Sequence, residues 1–525
     1  MLGIIDFLER SPGIGNTAAK FVDLSNKIEF TYQEMSNIAG GVAAILKGVG
    51  VKPGEIVATL SNNSVSSYCC IFGISKANAV WIPLNVKNTV EANLKLVSSS
   101  NATKVFVDQN ILDEDDGELT QALGDKIISM TPYKILDENL EALAESTDNR
   151  LESKGSSLSV PNENHLLSLF PTGGTTGDSK LCEWSELTWL TMVSTQSDLM
   201  PLKQEEGAYL IITPMTHASG VASFAPIYQG CSVLIMEGLE NDTVLRTIQE
   251  KRVTSLFLPP TAIYMLLSHP TVKDYDYSSL QYFLYAAAPM SVEKLKEAID
   301  VFGPVMIQSF GQAEAPMFIT SLSVEDHVDA LHSHDYERLR SCGKATPGLV
   351  VGIIDEDGNE MPTGYAGEIA LKGSLMMSKY YQSSEQTNAI RINGWQGTGD
   401  IGVKDRHGYI TIVDRKRDMI ISGGFNVFPS EIEQVLWGHP SVQDCAVIGV
   451  PDEKWGEKVT AVIELKQGQE QPEESELIRF CKDKLGSIKS PKSILYRPSL
   501  PRSPVGKVLK KEIRKEFWET TDRNI

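Results

Sequence analysis

Leu169-Phe-Pro-Thr-Gly-Gly-Thr-Thr-Gly-Asp-Ser-Lys180 is the stretch on which the reading of this chain turns. Positions 172–177 hold three threonines and three glycines, and Lys180 follows close behind. Such a run offers backbone N–H groups and hydroxyls with little side-chain bulk. Glycines let the backbone approach a ligand, hydroxyls donate, and an ammonium offsets charge, which together suit a polyphosphate. The spacing is not G-x-x-x-x-G-K-[ST], so the segment is not a Walker loop. A plain flexible turn is the competing reading, but a threonine-dense run directly after an apolar strand favours phosphate.

Outward from this loop, short apolar segments alternate with amphipathic ones. Strands are expected at Val57–Leu60, Ala79–Leu84, Lys104–Asp108, Tyr209–Thr213, Cys231–Met236, Ser255–Leu258, Tyr282–Tyr285 and Met306–Gln308. Helices are expected at Ser64–Ala77, Thr243–Arg252 and Val292–Phe302. That alternation predicts an α/β fold of mostly parallel sheets covered by helices. Near residue 400 the pattern changes. A strand at Gly408–Arg415 runs into the charged turn Asp414-Arg-Lys-Arg-Asp418. Helices at Ser430–Leu436 and Glu474–Leu485 and strands at Cys445–Val450 and Lys458–Leu465 follow. The expected organisation is therefore a large domain over 1–414, a hinge at 415–418 and a small mobile α+β domain over 419–525.

A length of 525 residues exceeds what one core usually organises. The net charge of −20 opposes unassisted binding to nucleic acid or an anionic membrane. Seven cysteines, scattered and without a C-x-x-C pair, argue against a disulfide framework or structural zinc and suit a reducing cytoplasm. No run approaches the roughly 20 apolar residues of a membrane span. Asp326, His327, His332, His334 and Asp335 fit no metal spacing and read as a polar surface loop. Gly13-Ile-Gly15 lacks a preceding strand and a third glycine, so it is not a dinucleotide site.

Further segments extend the pattern in a fixed order. They are Pro214-Met-Thr-His-Ala-Ser-Gly220, Tyr285-Ala-Ala-Ala-Pro-Met290, Ser309-Phe-Gly-Gln-Ala-Glu314, Gly367-Glu-Ile and Gly394-Trp-Gln-Gly-Thr-Gly-Asp400. Asp414-Arg415 through Gly423-Gly-Phe-Asn-Val-Phe-Pro-Ser-Glu431 comes next, and Pro501-Arg-Ser-Pro-Val-Gly-Lys507 is last. Together with the 169–180 loop they resemble the motifs of the adenylate-forming superfamily, which includes acyl-CoA synthetases, peptide-synthetase adenylation domains and firefly luciferase. Three departures stand out: Ser179 and Leu181 replace the proline and glycine that usually flank the loop lysine, and Ala313 replaces a threonine.

The resemblance implies a role for each matched residue. Thr172, Gly173, Gly174, Thr175, Thr176, Gly177 and Lys180 hold the ATP phosphates. Ala287, Ala288, Ser309, Phe310, Gly311, Gln312 and Ala313 contact AMP, and Glu314 binds Mg2+. Asp400 accepts from both ribose hydroxyls, with Arg415 as a second ribose contact. His217 guards an acyl pocket walled by Ala218, Val221, Ala286 and Ala287. Arg417 is the hinge position, Gly423 and Gly424 line the coenzyme A path, and Lys507 is the catalytic lysine of the first half-reaction.

The expected function is an AMP-forming acid–CoA ligase using ATP, Mg2+ and coenzyme A. Its substrate is expected to be an aromatic or cyclic acid, or a medium-to-long-chain fatty acid. No aspartate can be assigned to hold an α-amino group, which disfavours amino acids. The nearest alternative is a stand-alone acyl-AMP ligase loading an acyl carrier protein; from another class, a non-catalytic nucleotide-binding relative. A luciferase-type oxygenase is also compatible with the fold. The chain is expected to be cytoplasmic, without a nucleic-acid partner or membrane span, and a monomer or homodimer.

Overall fold

In the computed structural model, the described residues are 3–130, 162–172, 179–203, 207–502 and 508–518. The chain divides into two compact units. The first comprises residues 1–172, 179–351 and 371–389; the second comprises 173–178, 352–370 and 390–525.

Two sheets organise the first unit. One runs in the order Lys344–Ala345, Ala315–Leu322, Met306–Gln312, Tyr282–Tyr285, Ser255–Leu258, Ala208–Ile211, Ser232–Ile235, Lys20–Asp23 and Ile28–Thr31. From Met306–Gln312 across to Lys20–Asp23 every pairing is parallel, with antiparallel strands at the edges. The other sheet runs Ile127–Met130, Lys104–Asp108, Ile56–Leu60, Val80–Leu84, Leu166–Pro171 and Leu181–Ser185, and only its last pair is antiparallel. Strands such as Ile56–Leu60 and Val80–Leu84 are buried at every position, as a strand covered on both faces must be.

Local signals explain where the helices begin. At Val292–Phe302 the Ser291 hydroxyl accepts from the Lys294 N–H, and Val292, Leu295, Ala298 and Phe302 form the buried stripe. The helix stops at Gly303, whose φ of +90° favours glycine. The 3₁₀ turn Pro12–Gly15 occupies the G-x-G pair dismissed above.

The second unit holds the antiparallel pair Trp395–Lys404 and Ile410–Arg415. It also holds a sheet ordered Phe425–Val427, Ile420–Ser422, Gly456–Leu465 and Val442–Asp452, with Ser493–Arg497 beside Gly456–Leu465. Helices Pro429–Trp437 and Glu474–Leu485 close over Ile420, Val427, Val447, Ala461 and Ile463. The basic C-terminal stretch carries a further helix, Lys510–Trp518. All seven cysteines are buried and free. No helix among the described residues is long and apolar enough to cross a membrane.

One expectation is corrected. Part of the histidine-rich segment expected as a surface loop is the helix Val324–His332, started by a capping box between Ser323 and Asp326, while His332 and His334 are exposed as expected. His327 is 1% exposed; its Nε2 lies 2.8 Å from the Tyr285 hydroxyl and its Nδ1 2.6 Å from the Ser323 carbonyl. Burial lowers its pKa from 6.5 to about 4, against the opposing pull of the Ser323 carbonyl and Asp326. The unfolded chain therefore binds the extra proton, and this contribution to stability is lost as pH falls from 6.5 towards 4. The stability gap between wild type and His327→Phe should narrow across that window, by about 3 kcal/mol. Urea unfolding at several pH values reads it, and parallel pH profiles would contradict it.

Candidate active site

Matched segments of the first unit lie at or just after the carboxyl ends of its strands, which are Pro171, Ile211, Tyr285 and Gln312. Open α/β sheets bind their ligands there. At the first of these ends, the Thr172 N–H donates to the Lys180 carbonyl at 2.8 Å, and the Lys180 N–H donates to Thr172 Oγ1 at 3.1 Å. The two ends of the loop are thus tied together over the Pro171–Leu181 pair. Gly173, Gly174, Thr175, Thr176 and Gly177 lie outside the described residues. The Lys180 ammonium sits 4.6 Å from the centre of the Tyr380 ring.

On the same tyrosine, the hydroxyl donates to Glu314 Oε1 at 2.6 Å. Burial, then the neighbouring Glu314 charge, pushes the Tyr380 phenol up, so the hydroxyl keeps its proton and remains a donor. The Glu314 carbonyl accepts from the Met377 N–H at 2.9 Å, and the Trp184 indole donates to the Ala313 carbonyl at 2.7 Å. Trp184 is itself stacked on Phe170, with ring centroids 3.7 Å apart. The segment 310–314 therefore has both its main chain and its carboxylate fixed. Its shape requires glycine at 311, where a Cβ would meet the Met317 backbone at 2.5 Å across a bulge in the strand pair.

Ala287, expected against the nucleotide, has φ +73°. A left-handed alanine costs roughly 1–2 kcal/mol, and strain of this kind gathers at functional sites. Ala286 is buried, Ala287 exposed and Ala288 half-buried, immediately after a strand paired with Met306–Gln312. In the 214–220 turn a Cβ at Gly220 would meet the Met215 carbonyl at 1.8 Å. His217 precedes the short helix Ala218–Ala222, which holds Ala218 and Val221. Asn63 secures this turn: its amide donates to the carbonyls of Ile212, Thr213 and Met236, and its oxygen accepts from the Met215 N–H at 2.8 Å. Among the described residues, Thr216 Oγ1, Ser219 Oγ, Ser309 Oγ and Gln312 Nε2 are buried without a hydrogen-bond partner. Leaving one such atom unmet costs about 1–3 kcal/mol, so each calls for an explanation, and a ligand is one.

In the second unit Asp400 stands opposite Arg415 across the antiparallel pair, with Arg415 Nε 3.9 Å from Asp400 Oδ1. Glu368 ties this corner, accepting from the Gly399 N–H at 3.0 Å and from Lys416 at 2.9 Å. Buried Asp414 accepts from the Arg415 and Ser430 N–H groups at 2.7 and 2.9 Å. Burial raises its pKa while the Lys510 charge opposes the rise. Arg417 is exposed, and its carbonyl accepts from Arg514 at 3.3 Å. Gly423 and Gly424 have φ of +59° and +81°, and a Cβ at 423 would lie 2.9 Å from the Trp455 ring. Lys507 lies outside the described residues.

The sequence profile of the AMP-binding enzymes matches residues 10–381, and that of the AMP-binding enzyme C-terminal domain matches 431–507. The chain belongs to the AMP-binding enzyme family. It is 38% identical over 371 residues to a medium/long-chain-fatty-acid–CoA ligase, FadD8 of Mycobacterium tuberculosis (strain ATCC 25618 / H37Rv), a match spanning 69% of this chain and 63% of that protein. It is 30% identical over 493 residues to a feruloyl-CoA synthase of an Amycolatopsis species, covering 93% and 94% of the two chains. Among solved structures, ATP-bound MatB from Rhodopseudomonas palustris superposes with a TM-score of 0.83 at 25% identity, over 99% of this chain and 100% of that one. This AMP-binding enzyme is an AMP-forming acid–thiol ligase of the acyl-CoA synthetase kind, with ATP and coenzyme A as co-substrates.

Tyr380, Trp184 and Asn63 stand outside the motifs read from the sequence. Trp184→Phe keeps an aromatic ring against Phe170 and removes the indole donor to Ala313. It should lower the unfolding free energy by about 1–3 kcal/mol. An unchanged urea midpoint would contradict this.

Proposed function

We propose that the enzyme activates a carboxylic acid with Mg2+-bound ATP, releasing pyrophosphate, and transfers the acyl group from acyl-AMP to coenzyme A. The acid is an aromatic or cyclic one, or a medium-to-long-chain fatty acid. The reading is carried by the arrangement around Tyr380: one side chain holds a cation beside a tied glycine–threonine loop and, through its hydroxyl, a carboxylate. These are the two charges that positioning of a triphosphate demands.

A carboxylate is a poor electrophile because oxide would have to leave; AMP is a good leaving group. The acid oxygen attacks the α-phosphate, the bond to the pyrophosphate oxygen breaks, and pyrophosphate departs. Thr172–Gly177 and Lys180 bind the phosphates. Glu314 offers a hard oxygen in a fixed orientation, which fits Mg2+. When bound, that ion offsets charge on the phosphate oxygens. Asp400 accepts from the ribose hydroxyls with Arg415 as second contact, and Ala287, Ala288 and the 309–313 segment take the adenine side. His217, Ala218, Val221, Ala286 and Ala287 bound the acyl pocket.

Lys507 reaches the acyl oxygen and α-phosphate in the first step. The 415–418 segment then acts as the hinge between a 1–414 domain and a 419–525 domain, with Arg417 absorbing the dihedral change. The thiol enters past Gly423 and Gly424. Lys454 and Lys492 flank the Trp455 ring beside Gly423, at 5.0 and 5.8 Å. Ammonium groups and an aromatic face suit a phosphorylated nucleotide thiol, which supports free coenzyme A as the acceptor over a carrier protein.

A panel of aromatic, cyclic and fatty acids with ATP, Mg2+ and coenzyme A, read by mass detection, should give thioesters. Acyl-AMP that is passed only to a carrier protein would overturn the coenzyme A assignment. Lys507→Ala should cripple acid-dependent ATP–pyrophosphate exchange yet spare thioester formation from supplied acyl-AMP; equal loss in both would contradict its role. Ala313→Thr restores a hydroxyl where one oxyanion-type donor is worth on the order of 10²–10³ in rate. Exchange should stay unchanged or rise, and its collapse would contradict the placement of this loop.

A further inference from the structure

We propose that Tyr380 is a positioning residue for the first half-reaction, its hydroxyl orienting the Glu314 carboxylate and its ring face holding Lys180. The proposal rests on the reading of Glu314 as the Mg2+ ligand and adds a residue outside the sequence motifs.

Tyr380 is built into place from several directions. It is 3% exposed. Its N–H donates to Thr387 Oγ1 at 2.9 Å. The segment around it lies along the strand Leu181–Ser185, with Tyr380 opposite Cys182 in an antiparallel bridge. Glu183 donates to the Lys379 carbonyl and accepts from the Ser378 N–H, both at 2.9 Å, and the Tyr381 N–H donates to the Leu181 carbonyl at 2.8 Å. Met377 N–H on the Glu314 carbonyl ties the same segment to the main chain of the proposed metal ligand. A five-residue stretch, 377–381, thus grips the strand that follows the phosphate loop and grips Glu314 at both its backbone and its carboxylate.

Two different forces act through the one side chain. The 2.6 Å hydrogen bond to Glu314 Oε1 is charge-assisted and fixes the torsion of the carboxylate before a cation arrives. The 4.6 Å contact between the Lys180 ammonium and the ring attracts the cation to a defined place without neutralising it, as a carboxylate partner would. Lysine otherwise brings a flexible four-carbon stem to the phosphates. Phenylalanine would keep the second force and lose the first; leucine would lose both.

Titration calorimetry with α,β-methylene-ATP, in Mg2+ and separately in EDTA, separates the two. Tyr380→Phe should weaken binding in Mg2+ by roughly tenfold while leaving binding in EDTA within about twofold, the usual scale for losing a partner behind a metal ligand. Its melting temperature, measured alongside, should fall by only a few degrees, the cost of one lost hydrogen bond with the ring still packed. Tyr380→Leu should weaken binding in both conditions. Glu314→Gln should remove the gain that Mg2+ gives. If Glu314→Gln removes that gain and Tyr380→Phe matches wild type, or if Tyr380→Phe loses affinity equally in both conditions, the proposal for Tyr380 is overturned and the reading of Glu314 stands. A Glu314→Gln variant that keeps the full gain overturns the reading of Glu314 and the proposal with it.

Discussion

The reaction asks an anion to attack an anion. A carboxylate must approach the α-phosphate of a nucleotide that is itself highly charged, on a chain whose own net charge is −20. Two unit charges 4 Å apart repel by about 4 kcal/mol at the effective dielectric of a protein surface. Local arrangement has to defeat that repulsion. The proposed answer is the threonine–glycine loop, tied at its ends through Thr172 and Lys180, with the Lys180 ammonium held by an aromatic face. The Glu314 carboxylate, held by the Tyr380 hydroxyl, is the proposed seat of a hard cation. The parallel sheets serve this purpose by delivering several strand ends, and the segments after them, along their carboxyl edges.

The structure keeps strain and unmet polar atoms at the proposed site. Ala287 is held in a left-handed conformation, and buried polar atoms of Thr216, Ser219, Ser309 and Gln312 lack hydrogen-bond partners among the described residues. A fold selected for stability alone would relax or replace these groups; a site that must bind tolerates them. The second unit shows the opposite economy around the segment expected to act as hinge. Asp414 caps the start of helix Pro429–Trp437, buried Glu433 pairs with Lys510 at 2.7 Å, and Arg514 reaches Asp418 at 3.3 Å. These contacts stiffen the flanks of 415–418 and leave Arg417 itself exposed.

Much of this was legible in the sequence, for identifiable reasons. The helices Val292–Phe302 and Glu474–Leu485 and the strand Tyr282–Tyr285 match their expected bounds; both helices have a clear apolar period and stop at a glycine, Gly303 and Gly486. Asp400 and Arg415, expected as partners on the ribose, do face each other across one hairpin. What stayed hidden depends on distance along the chain. Tyr380 meets Glu314 across 66 positions, Trp184 meets Ala313 across 129, and Asn63 meets the 212–215 turn across about 150. No local pattern marks such contacts. The weak signal available was composition: a tyrosine in a polar stretch, a tryptophan within the strand after the loop, an asparagine just beyond a strand. His327 failed differently, since its Ser-x-x-Asp capping box was readable and the cluster of histidines drew attention to the wrong property.

A crystal structure with an acyl-AMP analogue, followed by one with α,β-methylene-ATP and Mg2+, tests the central claim most directly. The account predicts triphosphate density against Thr172–Gly177 and Lys180, with the cation on Glu314 and the ribose on Asp400. Nucleotide bound elsewhere, with the threonine–glycine turn empty, would contradict it.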